Sequence, residues 1–194
     1  MLPAIRSRRD LSIAFHKELP KYFSKPEIDR ILEIQKDNPK NYLLLSLLWQ
    51  TGARVSEILA LRVKDIDFHS RTIRINTLKQ KNKEQRVIPV QGNLLGLLGA
   101  YIASNELKKE DLILNFTRQR AHQIVREGVL KAGLDEERAH PHTFRHSFAV
   151  HAIMSGTPVL VVKNWLGHSN IQNTLIYMQV LGGDTRHFYE EIRF

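Results

Sequence analysis

Arg54, Arg145 and His168 each stand where the chain turns or a helix begins, places where a cationic or hydrogen-bonding side chain can meet an anion. In Thr51-Gly52-Ala53-Arg54-Val55-Ser56-Glu57 the backbone leaves one apolar helix and begins the next. Arg54 therefore lies near free backbone N–H groups and the positive end of a helix dipole, a setting that suits a phosphate. Glu57 follows three residues on and can orient the guanidinium; a plain structural Arg–Glu pair is the competing reading of this cluster taken alone. In His140-Pro141-His142-Thr143-Phe144-Arg145-His146, the i, i+3 spacing of His142 and Arg145 puts them on one helix face. Arg145 offers a fork for two phosphate oxygens, and His142 can exchange a proton near neutral pH. Leu166-Gly167-His168-Ser169 turns at its glycine so that His168 faces outward, and Tyr177 follows nine residues later. A lone tyrosine is far more often packing than nucleophile, so Tyr177 gains meaning only from its company.

The charge balance points the same way. Lys and Arg number 29 against 20 Asp and Glu, a net charge of +9 on 194 residues. For a chain of this size that excess suits a polyanionic partner, because each neutralised phosphate releases counterions. The chain has no cysteine. That excludes disulfides, a thiolate nucleophile and cysteine-ligated metal, and the histidines of 140–146 have no carboxylate at ligand spacing, so neither a metal nor a cofactor is expected. A 42% apolar and 25% charged composition is that of an ordinary globular domain able to bury a core. No stretch approaches the ~20 apolar residues of a membrane helix. No hydrophobic signal region follows Arg6, Arg8 and Arg9, so a cytoplasmic location is expected.

Elements must position these residues. Ser24-Lys25-Pro26-Glu27 reads as a capping box, with Ile28, Ile31, Leu32 and Ile34 giving an apolar helical face behind it. Residues 41–50 are apolar nearly all round, which predicts a central buried helix ended by Gly52. A further helix is expected over 55–61. Residues 72–77 and 86–90 alternate, which predicts an antiparallel hairpin with Lys79, Lys81 and Lys83 at its tip and a third strand from 63–68. Helices are expected over 94–103, 117–132, 143–155 and 159–166, with Gly133, Gly156 and Gly167 as punctuation. Ser169-Asn170-Ile171-Gln172 reads as a second capping box opening a short helix to about Tyr177, and 185–194 as a terminal helix. The fold class is mainly α with one small three-stranded antiparallel sheet.

Thr-Gly-x-Arg-x-Ser-Glu, then His-x-x-Arg, then Leu-Gly-His with a tyrosine nine residues on, in this order, resembles the catalytic domain of the tyrosine recombinase (phage integrase) family, Xer-like proteins included. Each motif alone is weak to moderate; together, with a lysine hairpin between the first two, they are specific. The resemblance implies active-site roles for Arg54, a hairpin lysine, His142, Arg145, His168 and Tyr177, with Glu57 supporting the first arginine. Counting forward from the strand gives Lys79 as the lysine; counting back from Pro89 gives Lys81, and the strand register favours Lys79. Lys81, Lys83 and Arg86 are then expected DNA contacts. The implied chemistry is cleavage and rejoining of double-stranded DNA through a 3′-phosphotyrosyl bond without metal or ATP. The implied assembly is a tetramer on DNA.

The resemblance divides the chain into an arm or linker over 1–21, a catalytic domain over 22–180 and a tail over 181–194. Gly182-Gly183 would hinge the tail, and it could pack on a neighbouring protomer or on its own. About twenty residues precede the expected domain, too few for the N-terminal helical domain that most members of the family carry. Competing readings are type IB topoisomerase-like strand relaxation and a non-catalytic DNA-binding module of the same fold. The Leu-Gly-His box and its spacing to Tyr177 favour the recombinase.

Overall fold

The computed structural model describes residues 18–77, 85–181 and 193. Lys79, Lys81, Lys83, residues 1–17 of the expected arm and 182–192 and 194 of the expected tail and terminal helix lie outside the described residues. Helix α1 (Lys25–Ile34) begins where expected, and the Glu27 carboxylate accepts the Ser24 backbone N–H at 2.8 Å. Helix α2 (Pro39–Thr51) buries Leu43, Leu44, Leu45, Leu47 and Leu48 because other helices pack against it on several sides. Its apolar girth is thus that of a central helix. Helix α3 (Val55–Leu59) is shorter than the sequence predicts.

A three-stranded antiparallel sheet follows, β1 (Ile66–Asp67), β2 (Thr72–Asn76) and β3 (Gln85–Pro89), in that order across the sheet. The third strand predicted over 63–68 is only two residues long. Val63–Asp65 is instead a 3-10 turn, closed by the Asp65 carboxylate accepting the Arg62 backbone N–H at 2.9 Å. Ile73 pairs with Ile88 and Ile75 with Arg86, which fixes one face of the hairpin inward.

Helices α4 (Gly92–Ser104), α5 (Arg118–Lys131), α6 (Pro141–Met154) and α7 (Val159–Leu166) complete the frame. The α6 helix starts at Pro141 rather than at Thr143, since a proline at the first helical position forfeits no bond. The second capping box does not form: Ile171 takes the cap position without a side-chain bond, and Asn170 Oδ1 accepts the Gln172 N–H at 2.9 Å in a local turn. Helix α8 (Gln172–Leu175) gives way to a 3-10 segment, Ile176–Leu181, so Tyr177 rides on a tighter and less regular element than expected.

The core has two parts. A large cluster joins α1 to α5 with the sheet. A smaller one gathers Ala149, Val150, Ile153, Val162, Leu166 and Tyr177, with Leu19 and Tyr22 packed against it. The chain before α1 is therefore seated on the domain from Leu19 onward, and the Phe23 N–H donates to Ser147 Oγ at 2.7 Å. No helix among the described residues is long and apolar enough to cross a membrane.

Candidate active site

Gly52 begins the site. Its left-handed backbone (φ 59°) ends α2, and a Cβ there would meet Phe148 Cδ1 at 2.4 Å. Only glycine allows the turn that delivers Arg54 to the start of α3. The Glu57 carboxylate accepts both the Arg54 backbone N–H at 2.8 Å and its Nη1 at 3.0 Å. Glu57 thus caps the helix and orients the arginine at once.

Arg145, from the first turns of α6, is buried. Its Nη1 donates to the Gly52 carbonyl at 2.8 Å and its Nη2 to the Leu166 carbonyl at 2.6 Å. One guanidinium therefore ties the end of α2 to the end of α7. Burial, and after it the charge of Arg54, pulls its pKa down to about 10, so it stays a cation at neutral pH. Gly167 (φ 64°) then turns the chain so that His168 follows, and His168 Nδ1 pairs with the buried Thr174 hydroxyl at 2.9 Å. Burial first, then Arg145 and Arg54, push His168 down to about 3, so its ring is neutral at rest. His142 is exposed at the α6 N-terminus, its pKa lowered by desolvation, then by Arg145 and Arg54. Arg54, Arg145, His142 and His168 accordingly share one electrostatic neighbourhood.

Tyr177 is brought to the same region but is sequestered, at 2% exposure. Its hydroxyl lies 2.7 Å from His146 Nδ1. Burial raises the phenol to about 12, opposed only in part by Arg145.

Arg86, expected among the DNA contacts, is engaged within the protein and also lines the cleft between the sheet and α7. Its Nη2 donates to Glu57 at 2.6 Å and its Nε to the Trp165 carbonyl at 2.7 Å. The reason lies in the pleat: cross-strand partners share a face, and the partner of Arg86 is the buried Ile75. Arg86 braces Glu57 from the sheet side while Arg54 meets it from the helix. Burial alone would raise the Glu57 carboxyl, yet the hydrogen bond and charge of Arg86, followed by Arg54, hold it below the usual carboxylate value. The sequence reading missed this bracing, although Arg86 has the same strand parity as the inward Ile88. It also missed Thr174 and His146, whose partners His168 and Tyr177 are joined to them only by folding.

Between the sheet and α7 a polar cleft is lined by Thr77, Gln85, Arg86, Lys163, His168 and Ser169 among others. Among the described residues no cluster of histidine and carboxylate groups could hold a metal ion.

The sequence model of the phage integrase family matches residues 21–182. The chain belongs to this family. Within it, a tyrosine recombinase of Pseudothermotoga lettingae is 35% identical over 169 residues, covering 85% of this chain and 58% of the relative. A XerD recombinase of Mycobacterium tuberculosis is 33% identical over 184 residues, covering 84% of this chain and 58% of the relative. The chain thus spans little more than half the length of these relatives. Among solved structures, XerH recombinase bound to its difH substrate before cleavage superposes with a TM-score of 0.72 at 26% identity, over 83% of this chain and 50% of that one. The catalytic domain of bacteriophage HP1 integrase gives 0.67 at 26% identity, over 88% of this chain and 94% of that domain. The family members of known structure share the mostly helical architecture with its small sheet.

Proposed function

We propose that this chain is the strand-cutting and rejoining unit of a site-specific DNA recombinase, working through a 3′-phosphotyrosyl bond at Tyr177. The observation that carries the reading is the meeting of Arg54 and Arg145 about one turn. Arg145 is clamped by the carbonyls of Gly52 and Leu166, and His168 lies two residues past the second of them. Relatives named as tyrosine recombinases, and a structural neighbour solved on its DNA substrate, support double-stranded DNA as the partner.

A phenol is a weak nucleophile at its ordinary pKa near ~10 and weaker still when buried. The site must therefore stabilise charge as it develops on phosphorus oxygens. Arg54 and Arg145 supply fixed positive charge, so the reading requires neither metal nor ATP. With Thr174 engaging Nδ1 of His168, Nε2 is the ring nitrogen left to donate to a phosphate oxygen. The Tyr177 oxygen attacks phosphorus, its proton passing to His142 or to solvent. The bond to the 5′ oxygen breaks, and that oxygen takes a proton from Lys79. The 5′ hydroxyl of another strand reverses the step without added energy, which permits exchange between duplexes held by a tetramer.

A duplex nicked close to the cleavage site traps the covalent state, because the short 5′ fragment diffuses away. The chain with Tyr177 is expected to give a protein–DNA adduct on a denaturing gel, unchanged by EDTA. Tyr177→Phe is expected to give none. Lys79→Ala loses the adduct on ordinary DNA and regains it when the leaving 5′ oxygen is replaced by sulfur, which needs no proton; the same behaviour in Lys81→Ala alone would move the role there. An adduct that persists in Tyr177→Phe overturns the reading.

A further inference from the structure

We propose that His146 is a positioning residue that holds the Tyr177 hydroxyl at rest, and that this hydrogen bond must open before the tyrosine can reach a phosphate. The inference rests on Tyr177 being the nucleophile. Tyr177 belongs to the smaller apolar cluster and is 2% exposed, so a DNA backbone approaching from solvent cannot meet its oxygen there. The hydroxyl is 2.7 Å from His146 Nδ1, and the two rings stand 5.9 Å apart at 46°.

The two partners are anchored unequally. His146 sits one residue after Arg145, on a 14-residue helix whose neighbours Phe144, Arg145 and Ser147 are all buried. Tyr177 rides on a 3-10 segment behind a helix of only four residues. The less regular element carries the tyrosine, so in the proposed opening Tyr177 is the partner that moves and His146 the one that stays. Burial, then the charges of His142 and Arg145, take the imidazole down to about 4, so at neutral pH it is uncharged, and in the tautomer that carries its proton on Nε2 the Nδ1 lone pair accepts the phenol O–H. A buried hydroxyl deprived of its acceptor loses enough to change the ratio of held to released tyrosine by roughly tenfold.

Two readouts test the hold. One is nitration of Tyr177 by tetranitromethane in the DNA-free chain, followed by peptide mass spectrometry. The other is the rate of adduct formation on the nicked duplex. His146→Leu removes the acceptor and is expected to raise both by about tenfold. His146→Asn, whose Oδ1 falls near the place of Nδ1, is expected to return both towards the wild-type values. Unchanged nitration in a folded His146→Leu chain overturns the proposal. So does an adduct rate that falls in both variants, the mark of a proton acceptor in the chemical step. If His146→Leu does not fold, the Nδ1 nitrogen shift of His146 in the wild-type chain and in Tyr177→Phe decides: a change supports the hold and identity overturns it. Raised nitration in His146→Leu with no adduct in any variant would retain the hold and sink the nucleophile.

Discussion

Glu57 is the residue on which the cationic site turns. Its side chain is 1% exposed, against 10% for Arg86 and 25% for Arg54, so the three guanidinium and carboxylate groups are progressively wetter from the core outward. Removing one partner of a buried ion pair leaves an uncompensated charge and typically costs about 3–5 kcal/mol. Glu57→Ala is expected to lose stability on that scale in urea unfolding, and to lose the covalent adduct even where the chain still folds, because Arg54 no longer has an orienting partner. Glu57→Gln, which keeps the volume and the oxygen that caps the Arg54 N–H, is expected to retain more stability than Glu57→Ala. Equal losses in the two would mean that charge is all that matters there. The pairing of Arg54 with Glu57 was legible as an i, i+3 spacing. The carbonyls of Gly52 and Leu166 that hold Arg145 were not, because they lie 93 and 21 residues away in sequence and a backbone oxygen leaves no trace in residue type. The bracing of Glu57 by Arg86 follows from strand parity, since Arg86 shares its side of β3 with the inward Ile88.

Among the elements, the turn between α2 and α3 joins the two arginines, Arg54 starting α3 and Arg145 bonded to the turn's Gly52 carbonyl. Gly52 supplies both the left-handed bend and a carbonyl for Arg145, so one residue shapes the backbone before Arg54 and anchors the opposite side of the site. Gly52→Ala would place a Cβ 2.4 Å from Phe148 Cδ1 in a backbone region that costs an L-residue about 1–2 kcal/mol. Overpacking adds about 1–3 kcal/mol. The expected outcome is a melting temperature several degrees lower and an adduct rate reduced more than stability alone explains, since Phe148 must yield and the turn with it. A variant that melts early but reacts at the wild-type rate would show that the turn is not what spaces the arginines. The α1 helix and the β2–β3 hairpin were legible in the sequence because their periods agree with burial, and α2 because an all-round apolar run matches a central helix. The run after His168 was not: its Ser-x-x-Gln has the pattern of a capping box, but Asn170 takes the Gln172 N–H in a turn, and the helix is only α8 followed by a 3-10 segment. Short polar side chains compete for the same backbone donors, and residue order alone does not say which wins.

At the level of the whole molecule, a net charge of +9 suits a polyanionic partner, while the fold keeps several histidines near the arginines from taking on more positive charge. Burial and neighbouring cations lower His142, take His146 to about 4 and His168 to about 3, whereas an unfolded histidine titrates near 6.5. These groups bind fewer protons folded than unfolded. Their contribution is complete above about pH 6.5 and is lost as the pH falls towards 4 and then 3. Glu57, with its carboxyl lowered, adds a further loss that begins only below the usual carboxylate value. The urea midpoint is therefore expected to fall between pH 7 and pH 5, before any carboxylate contributes, and His146→Asn is expected to flatten part of that fall. On the proposed function, a phosphate beside His168 and His142 would favour their charged forms and reverse this balance. Binding to duplex DNA at pH 6 should then take up protons, read by calorimetry as a heat that scales with the ionisation enthalpy of the buffer. A heat independent of buffer would mean that no phosphate comes to rest beside these rings, and that the positive charge gathered here serves the fold alone.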